Sequence, residues 1–393
     1  MNDLAGREFR RILLIKPSSP GDIIHALPVL RGLRRRYPQA HVAWLVATPF
    51  VNLIEADPAL DEVILFDRKR YGRLGRSLGA SRDFLRFVGE LWRRRFDLVI
   101  DLQGLFRSGF LSLATGSAVR IGFRASREFA WVFYNHWIPR GRREIHAAER
   151  NYAVAKLLGF DGLPLDFTIA LTDEDRRRAA ALLTNVGIAS LPVLPHRAAV
   201  VTAGRTGSAP EPASPGGCAP ASDKARFAAL VPATRWQTKC WPAERYGRLA
   251  LLISQSLGIP SILVGGAADI DAGEWAVSAS AGTAHNLCGR TTLRELAALI
   301  EEAAVVVTAD STPMHMAAAF DRPLVALFGP TNPVRTGPCG HQDAVIRLNL
   351  ACSPCYLRSL SECPHDHRCL RDLTVEAVAE AVAERLTVHG EPA

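Results

Sequence analysis

Short apolar runs alternate with longer helical stretches along almost the whole chain, and this alternation leaves few folds open. In the first half the strand candidates are RILLIK (11–16), HVAWLV (41–46), EVILFD (62–67), FDLVIDL (96–102) and VRIGF (119–123), with helical segments at about 23–36, 81–95, 105–115 and 144–158. The second half repeats the scheme with AALVP (228–232), SILVGG (261–266), AVVVTA (304–309), LVALFG (324–329) and VIRLNL (345–350). Its helical segments fall near 242–256, 270–279, 292–302 and 312–320, and an amphipathic stretch at about 374–387 closes the chain. Strands that are joined through helices return on the same side, so each half reads as βαβ units around a mostly parallel sheet. The expected fold class is α/β, with two doubly wound domains and a ligand crevice at the carboxyl ends of the strands.

Between the halves lies a segment rich in Pro, Gly, Ala and Ser, residues 191–226. Such a composition cannot bury enough apolar surface to offset its ordering entropy, so it reads as a flexible linker or insert. A chain of 393 residues also exceeds what one hydrophobic core usually serves. The expected organisation is a first domain over 1–190, the linker over 191–226, a second domain over 227–373, and a terminal helix and tail over 374–393. The early run RRILLIK stops at a lysine without a small-residue cleavage site, and no stretch approaches the roughly 18 to 20 apolar residues of a membrane span. A cytoplasmic location is therefore expected. Eight cysteines in so long a chain do not make a disulfide scaffold, and 48% hydrophobic with 22% charged residues is an ordinary globular balance.

The formal charge of +8 is unevenly placed. Residues 1–160 hold 27 Lys and Arg against 15 Asp and Glu, whereas residues 161–393 hold 20 against 24. Runs such as RGLRRRYP, DRKRYGR and LWRRRF are individually consistent with solvated helix faces and loops. Their sum gives the first half a field suited to an anionic partner: nucleic acid, acidic lipid or a phosphorylated glycan.

Polar residues at the strand ends carry the candidate chemistry. After the first strand, PSSPGDIIHALPVL sets Gly21 in a turn and Asp22 at the start of a helix. An aspartate there either caps free backbone N–H groups or stands as a general base at the carboxyl end of the strand. His25, one turn on, supports a polar site or packs under the loop. No G-x-G-x-x-G follows the first strand and no G-x-x-x-x-G-K-[ST] occurs, so the usual dinucleotide and P-loop readings lose their main support.

Other phosphate donors appear in the second half. In PATRWQTKCWPAERYGRLA, Thr234, Arg235, Thr238 and Lys239 precede a helix opened by Pro242. Hydroxyls, a cation and backbone N–H groups can cradle a diphosphate, although Trp236 and Trp241 could instead be there to pack the loop. In VTADSTPMHMAAAF a strand end delivers Asp310 and Ser311, and the helix N-terminus at Ser311 and Thr312 favours an anion. His315 then faces the ligand or the core. Near the end stand Cys352, Cys355, Cys363 and Cys369, with His365 and His367 among them. C-x2-C with two further thiols fits one structural zinc; the alternative is free thiols packing a loop.

Together these stretches resemble glycosyltransferase family 9, the bacterial heptosyltransferases that build the inner core of lipopolysaccharide. The resemblance runs through RILLIKPSSPGDIIHALPVLRGLRRRYP, DLQGLFRSGFL, TRWQTKCWPAERYGRLA, DSTPMHMAAAF, RPLVALFGPTNPVRTGP and the cysteine-rich tail, and spans nearly everything but 191–226. It implies a GT-B architecture, two facing Rossmann-like domains with a C-terminal helix packing back on the N-terminal one. It implies an ADP-heptose donor held by the second domain and a lipid-linked anionic saccharide acceptor received by the first. By the same resemblance Asp22 matches the catalytic base of an inverting transfer, and Lys239 matches a lysine that neutralises the departing diphosphate. Thr234 and Arg235 stand close by, while Asp310, Ser311, Thr312 and His315 match the donor-binding turn. No DxD-type motif is placed to hold a divalent metal, so cations and helix N-termini are expected to take its role and no cofactor is required for catalysis. The family often has Gly where Thr312 stands, which loosens the donor assignment. The acceptor implies peripheral contact with the inner leaflet of the inner membrane. Two rivals stay open: a family member with another donor or acceptor, and a non-catalytic nucleotide-sugar or nucleic-acid binding protein. Nucleic acid is not the expected partner, because no reader fold or stacking motif accompanies the basic runs.

Overall fold

A computed structural model describes residues 4–73, 75–138, 144–188 and 227–389. It divides into two compact units, residues 1–170 and 171–393. The first holds β1 (Arg11–Ile15), helices α1 (Pro20–Ile24) and α2 (Leu27–Arg36), β2 (His41–Ala47), β3 (Glu62–Phe66), helix α3 (Leu78–Arg93), β4 (Leu98–Asp101), helix α4 (Phe106–Ala114), β5 (Val119–Phe123) and β6 (His136–Ile138). All its strands are parallel, in the order β3-β2-β1-β4-β5-β6. Strands buried on both faces read as unbroken apolar runs, which is why RILLI and HVAWLV show no alternation. One side of the sheet packs Leu13, Ile15, Ala43 and Leu45 against Phe84, Phe87 and Leu91 of α3.

The second unit begins with helix α5 (Asp173–Asn185) and continues through β7 (Ala228–Leu230), α6 (Ala243–Leu257), β8 (Ser261–Leu263), β9 (Ala284–Asn286), α7 (Leu293–Glu302), β10 (Val305–Ala309), α8 (Thr312–Ala319), β11 (Leu324–Leu327), β12 (Val345–Ile346) and α9 (Val375–Val388). Its parallel order, β12-β11-β10-β7-β8-β9, is the same winding read from the other edge. Short further helices complete both units.

Three sequence expectations bear on this organisation. The unit division falls after Ala170, earlier than the expected end of the first domain at 190. The reason is α5, which ties to α7 through Arg176 on Glu301 (2.9 Å) and Arg294 on Asp175 (3.1 Å). Residues 191–226, expected as a linker, lie outside the described residues. The terminal helix places Val375, Val378, Val382 and Leu386 in the second unit's core, beside Leu249 and Ile253 of α6 and Val325 of β11. Those four positions form one helical stripe, and the core of the second sheet takes it up.

Candidate active site

In the second unit the chain leaves β7 towards β8 and leaves β10 towards β11, on opposite sides. These two strands lie next to each other, with Val307 opposite Leu230, so their carboxyl ends flank the point where the strand order reverses. In doubly wound sheets that point is where a ligand is received. The β7 exit carries Lys239 and the β10 exit carries Asp310. The Lys239 ammonium lies 2.7 Å from Asp310 Oδ2 and donates to the Asp310 carbonyl at 3.3 Å. Thr336 donates its Oγ1 hydrogen to the same carboxylate oxygen at 3.1 Å. The pair is mostly shielded, with side chains 15% and 6% exposed, so the geometry is held by a low-dielectric contact rather than a screened surface one.

A second positive group adds to this. Lys239 Nζ sits 4.5 Å from the centre of the Trp236 ring and Arg358 Cζ sits 4.7 Å from it, so one indole holds two cations. Next to Asp310, Ser311 is the N-cap of α8, yet its hydroxyl pairs with Thr308 Oγ1 at 2.8 Å and makes no capping bond. The N–H groups of the first turn, beginning at Thr312, therefore keep their donor capacity and the dipole of the helix end. Cations, a hydroxyl and a helix N-terminus thus meet at one end of the sheet. That combination binds a polyanion without a glycine-rich phosphate loop.

The other expected donor residues are placed less directly. The Thr234 hydroxyl donates to Trp236 O at 3.1 Å and shapes the loop. Arg235 is exposed and His315 is buried in α8. Thr238, expected in the donor set, is buried; its hydroxyl donates to Leu357 O at 2.6 Å, and its carbonyl meets His367 Nε2 at 2.6 Å. The cysteine-rich segment thereby clamps the lysine loop from behind. Cys352, Cys355, Cys363 and Cys369 line one cavity of about 120 Å³ together with His365. Burial, followed by the neighbouring thiols, pushes the Cys369 thiol up to about 11. The four cysteines of the expected zinc site thus surround a single cavity, although among the described residues no three His, Cys, Asp or Glu side chains are grouped to hold a metal ion.

In the first unit the corresponding strands are β1 and β4, with Ile15 opposite Asp101. Lys16 leaves β1 and donates from Nζ to Leu102 O at 3.0 Å, tying the two strand exits together. Its ammonium stands 3.6 Å from Asp22 Oδ1. The Ser19 backbone N–H and hydroxyl both donate to Asp22 Oδ2, at 3.1 and 2.9 Å. One oxygen thus serves the start of α1, and the side chain is 43% exposed. His25 is buried, edge-on to His146 at 5.1 Å between ring centres, which is the packing alternative. Asp101 is fully buried and accepts from Tyr134 Oη (2.6 Å) and the N–H groups of Gln103 and Gly104. Burial raises its carboxyl above the ordinary range against the pull of these donors. It organises the DLQG turn.

Lys16, Thr336 and Arg358 are the site residues that sequence reading passed over, and Trp236, weighed only as loop packing, holds the two cations. Lys16 carried a usable signal, a charged residue ending a buried strand ahead of the polar turn. Thr336 reaches Asp310 across 26 positions of sequence and carried none.

Known proteins match this chain over nearly its full length. The chain is 28% identical over 372 residues to lipopolysaccharide heptosyltransferase 1 of Pseudomonas aeruginosa, covering 93% of this chain and 92% of the relative. It is 28% identical over 388 residues to lipopolysaccharide heptosyltransferase 2 of Salmonella typhimurium, covering 97% and 99%. The solved structure of E. coli heptosyltransferase WaaC with ADP matches with a TM-score of 0.68 at 26% identity, over 95% of this chain and 99% of that one. E. coli ADP-heptose lps heptosyltransferase II matches in fold with a TM-score of 0.70 at 24% identity, over 97% and 99%. The profile of Glycosyltransferase family 9 (heptosyltransferase) covers residues 84–364. With two parallel six-stranded sheets of GT-B type, the chain belongs to glycosyltransferase family 9 and is a glycosyltransferase.

Proposed function

We propose that this enzyme transfers heptose, with inversion, from ADP-heptose to the inner core of lipopolysaccharide, where the acceptor is a Kdo or heptose unit carried on lipid A. The observation that carries the reading is the Lys239, Asp310 and Thr336 cluster beside the uncapped start of α8. In this reading the donor diphosphate binds at that helix end, and Asp310 holds the Lys239 ammonium towards it. The names of the relatives, and the ADP in the WaaC structure, support a heptosyl donor of this kind.

The reaction proposed is a single displacement. An acceptor hydroxyl attacks the anomeric carbon as the bond to the diphosphate oxygen breaks. Asp22 takes the hydroxyl proton, and ADP leaves with the bonding electrons. Lys239 and the first-turn N–H groups of α8 stabilise the charge that grows on the leaving oxygen, the role a divalent metal fills elsewhere, so no metal is assigned to the step. The basic first half of the chain suits an anionic acceptor. Because that acceptor is lipid-linked, the enzyme is proposed to work from the cytoplasm at the inner membrane. No helix among the described residues is long and apolar enough to cross a membrane.

Calorimetric titration with ADP, UDP and GDP, without added metal, tests the reading. ADP is expected to bind selectively, and Lys239→Ala and Ser311→Ala are each expected to weaken it, the lysine change by about tenfold or more, as for loss of a charged hydrogen bond. Preference for UDP or GDP would overturn the heptose donor, and absence of nucleotide binding would favour a different ligand class.

A further inference from the structure

The outward face of α3 is built against the usual rule for a solvated helix. Ala80, Phe84, Phe87 and Leu91 face the sheet and are buried. Leu78, Leu85 and Trp92, seven residues apart, share a stripe about a third of a turn round from that buried face and are 92%, 68% and 48% exposed. Arg82, Arg86 and Arg93 run along one side of this apolar stripe and are exposed as well. A helix whose apolar surface runs on past the part the sheet covers, with arginines beside the exposed stretch, is unlike a solvated helix, whose uncovered surface is polar.

Trp92 is fixed rather than loosely displayed. Arg95 lies over its ring at 4.1 Å, and Gly116 backs it so closely that a Cβ there would sit 2.9 Å from its Cδ1. An amphipathic aromatic held half in water beside arginines is the side chain favoured at a membrane interface. The local charge agrees. Residues 68–95 hold ten Lys and Arg against two Asp and Glu, a surplus equal to the formal charge of the whole chain, +8. The rest of the sequence is balanced, so the excess lies in this region: the helix itself, with three Arg against Asp83 and Glu90, adds one charge, and the segments that flank it on either side add the other seven.

We infer that α3 is a membrane-docking helix, which lays Leu78, Leu85 and Trp92 into the headgroup boundary of an anionic bilayer while its arginines pair with lipid phosphates. Apolar insertion and electrostatic attraction act together in such interfacial helices, and neither alone anchors a soluble domain well. Charge selects this occupant: a stripe without the arginines would suit a second copy, and arginines without the stripe would suit nucleic acid. The inference deepens the proposed function, resting on it for the reason to visit a lipid surface, while the docking face itself stands on the helix.

The test is sedimentation of the full chain with phosphatidylcholine vesicles, with and without phosphatidylglycerol, alongside ADP titration of the same samples. Binding is expected only to the anionic vesicles and to weaken with salt. Leu78→Ser with Leu85→Ser, and separately Arg82→Glu with Arg93→Glu, are each expected to cut it at least about tenfold, with ADP affinity unchanged because the nucleotide residues lie in the other unit. Vesicle binding that is absent, or that both double variants retain, overturns the docking helix while ADP binding keeps the transferase reading intact. Loss of ADP binding with vesicle docking preserved overturns that reading and not this one. Two further outcomes overturn it: DNA binding that the arginine changes abolish while the leucine changes leave vesicle binding untouched, and a dimer that the leucine changes dissociate.

Discussion

Asp22 shows how one carboxylate can hold a structural and a chemical position at once. Its Oδ2 receives two bonds from Ser19, which fixes the rotamer, and its Oδ1 stands near Lys16, which is itself anchored on Leu102. A base must be oriented before it can be effective, and this residue is oriented from both sides. Asp22→Ala is expected to lower turnover by about 10²- to 10⁴-fold, the usual range for a positioned general base, with the Kd for ADP unchanged. Steady-state kinetics and titration on the same preparation would show it, and a variant that turns over normally would remove Asp22 from the reaction. The sequence exposed Asp22 and Asp310 because each follows an apolar run directly. It hid Thr336 and Arg358, whose place near Lys239 depends on how distant loops fold back over the sheet.

At the scale of elements, the long periodic segments were legible and the short or charged ones were not. RILLIK, HVAWLV and AVVVTA became strands close to their expected bounds because burial on both faces demands unbroken apolar residues. The edge strands HWI and AHN are too short for any period to register. The charged helix DEDRRRAAALLTN was also passed over, although Thr172 and Asp175 form the capping box that marks its start, with Thr172 Oγ1 donating to Asp175 at 2.5 Å. The cysteine-rich segment has its clearest consequence here, through His367. Its Nε2 holds the Thr238 carbonyl, and the next residue is Lys239. His367→Ala is expected to weaken ADP about fivefold, the equivalent of one hydrogen bond of roughly 1 kcal/mol, and His367→Gln, which keeps a donor, to restore most of it. Equal affinity in all three proteins would show that the clamp does not position the lysine.

For the whole molecule, the decisive feature was readable in outline: two rounds of alternating strand and helix gave two parallel sheets with one winding order. What could not be read was which core each peripheral helix joins. The terminal helix carries an apolar stripe that fits either sheet in principle, and α5 is mostly charged; packing assigned the one to the second unit and ion pairs to α7 the other. That assignment has a thermal consequence. Each sheet is covered by helices of its own unit, so heat should melt two cores and not one, and the calorimetric enthalpy of the full chain should exceed the van't Hoff enthalpy of a single transition. Saturating ADP should then raise only one of the two endotherms, by the roughly 2.7 kcal/mol that a ligand at a hundred times its Kd contributes. The endotherm that moves would belong to residues 171–393, and a thermogram would report which half of the enzyme a nucleotide has entered without any crystal.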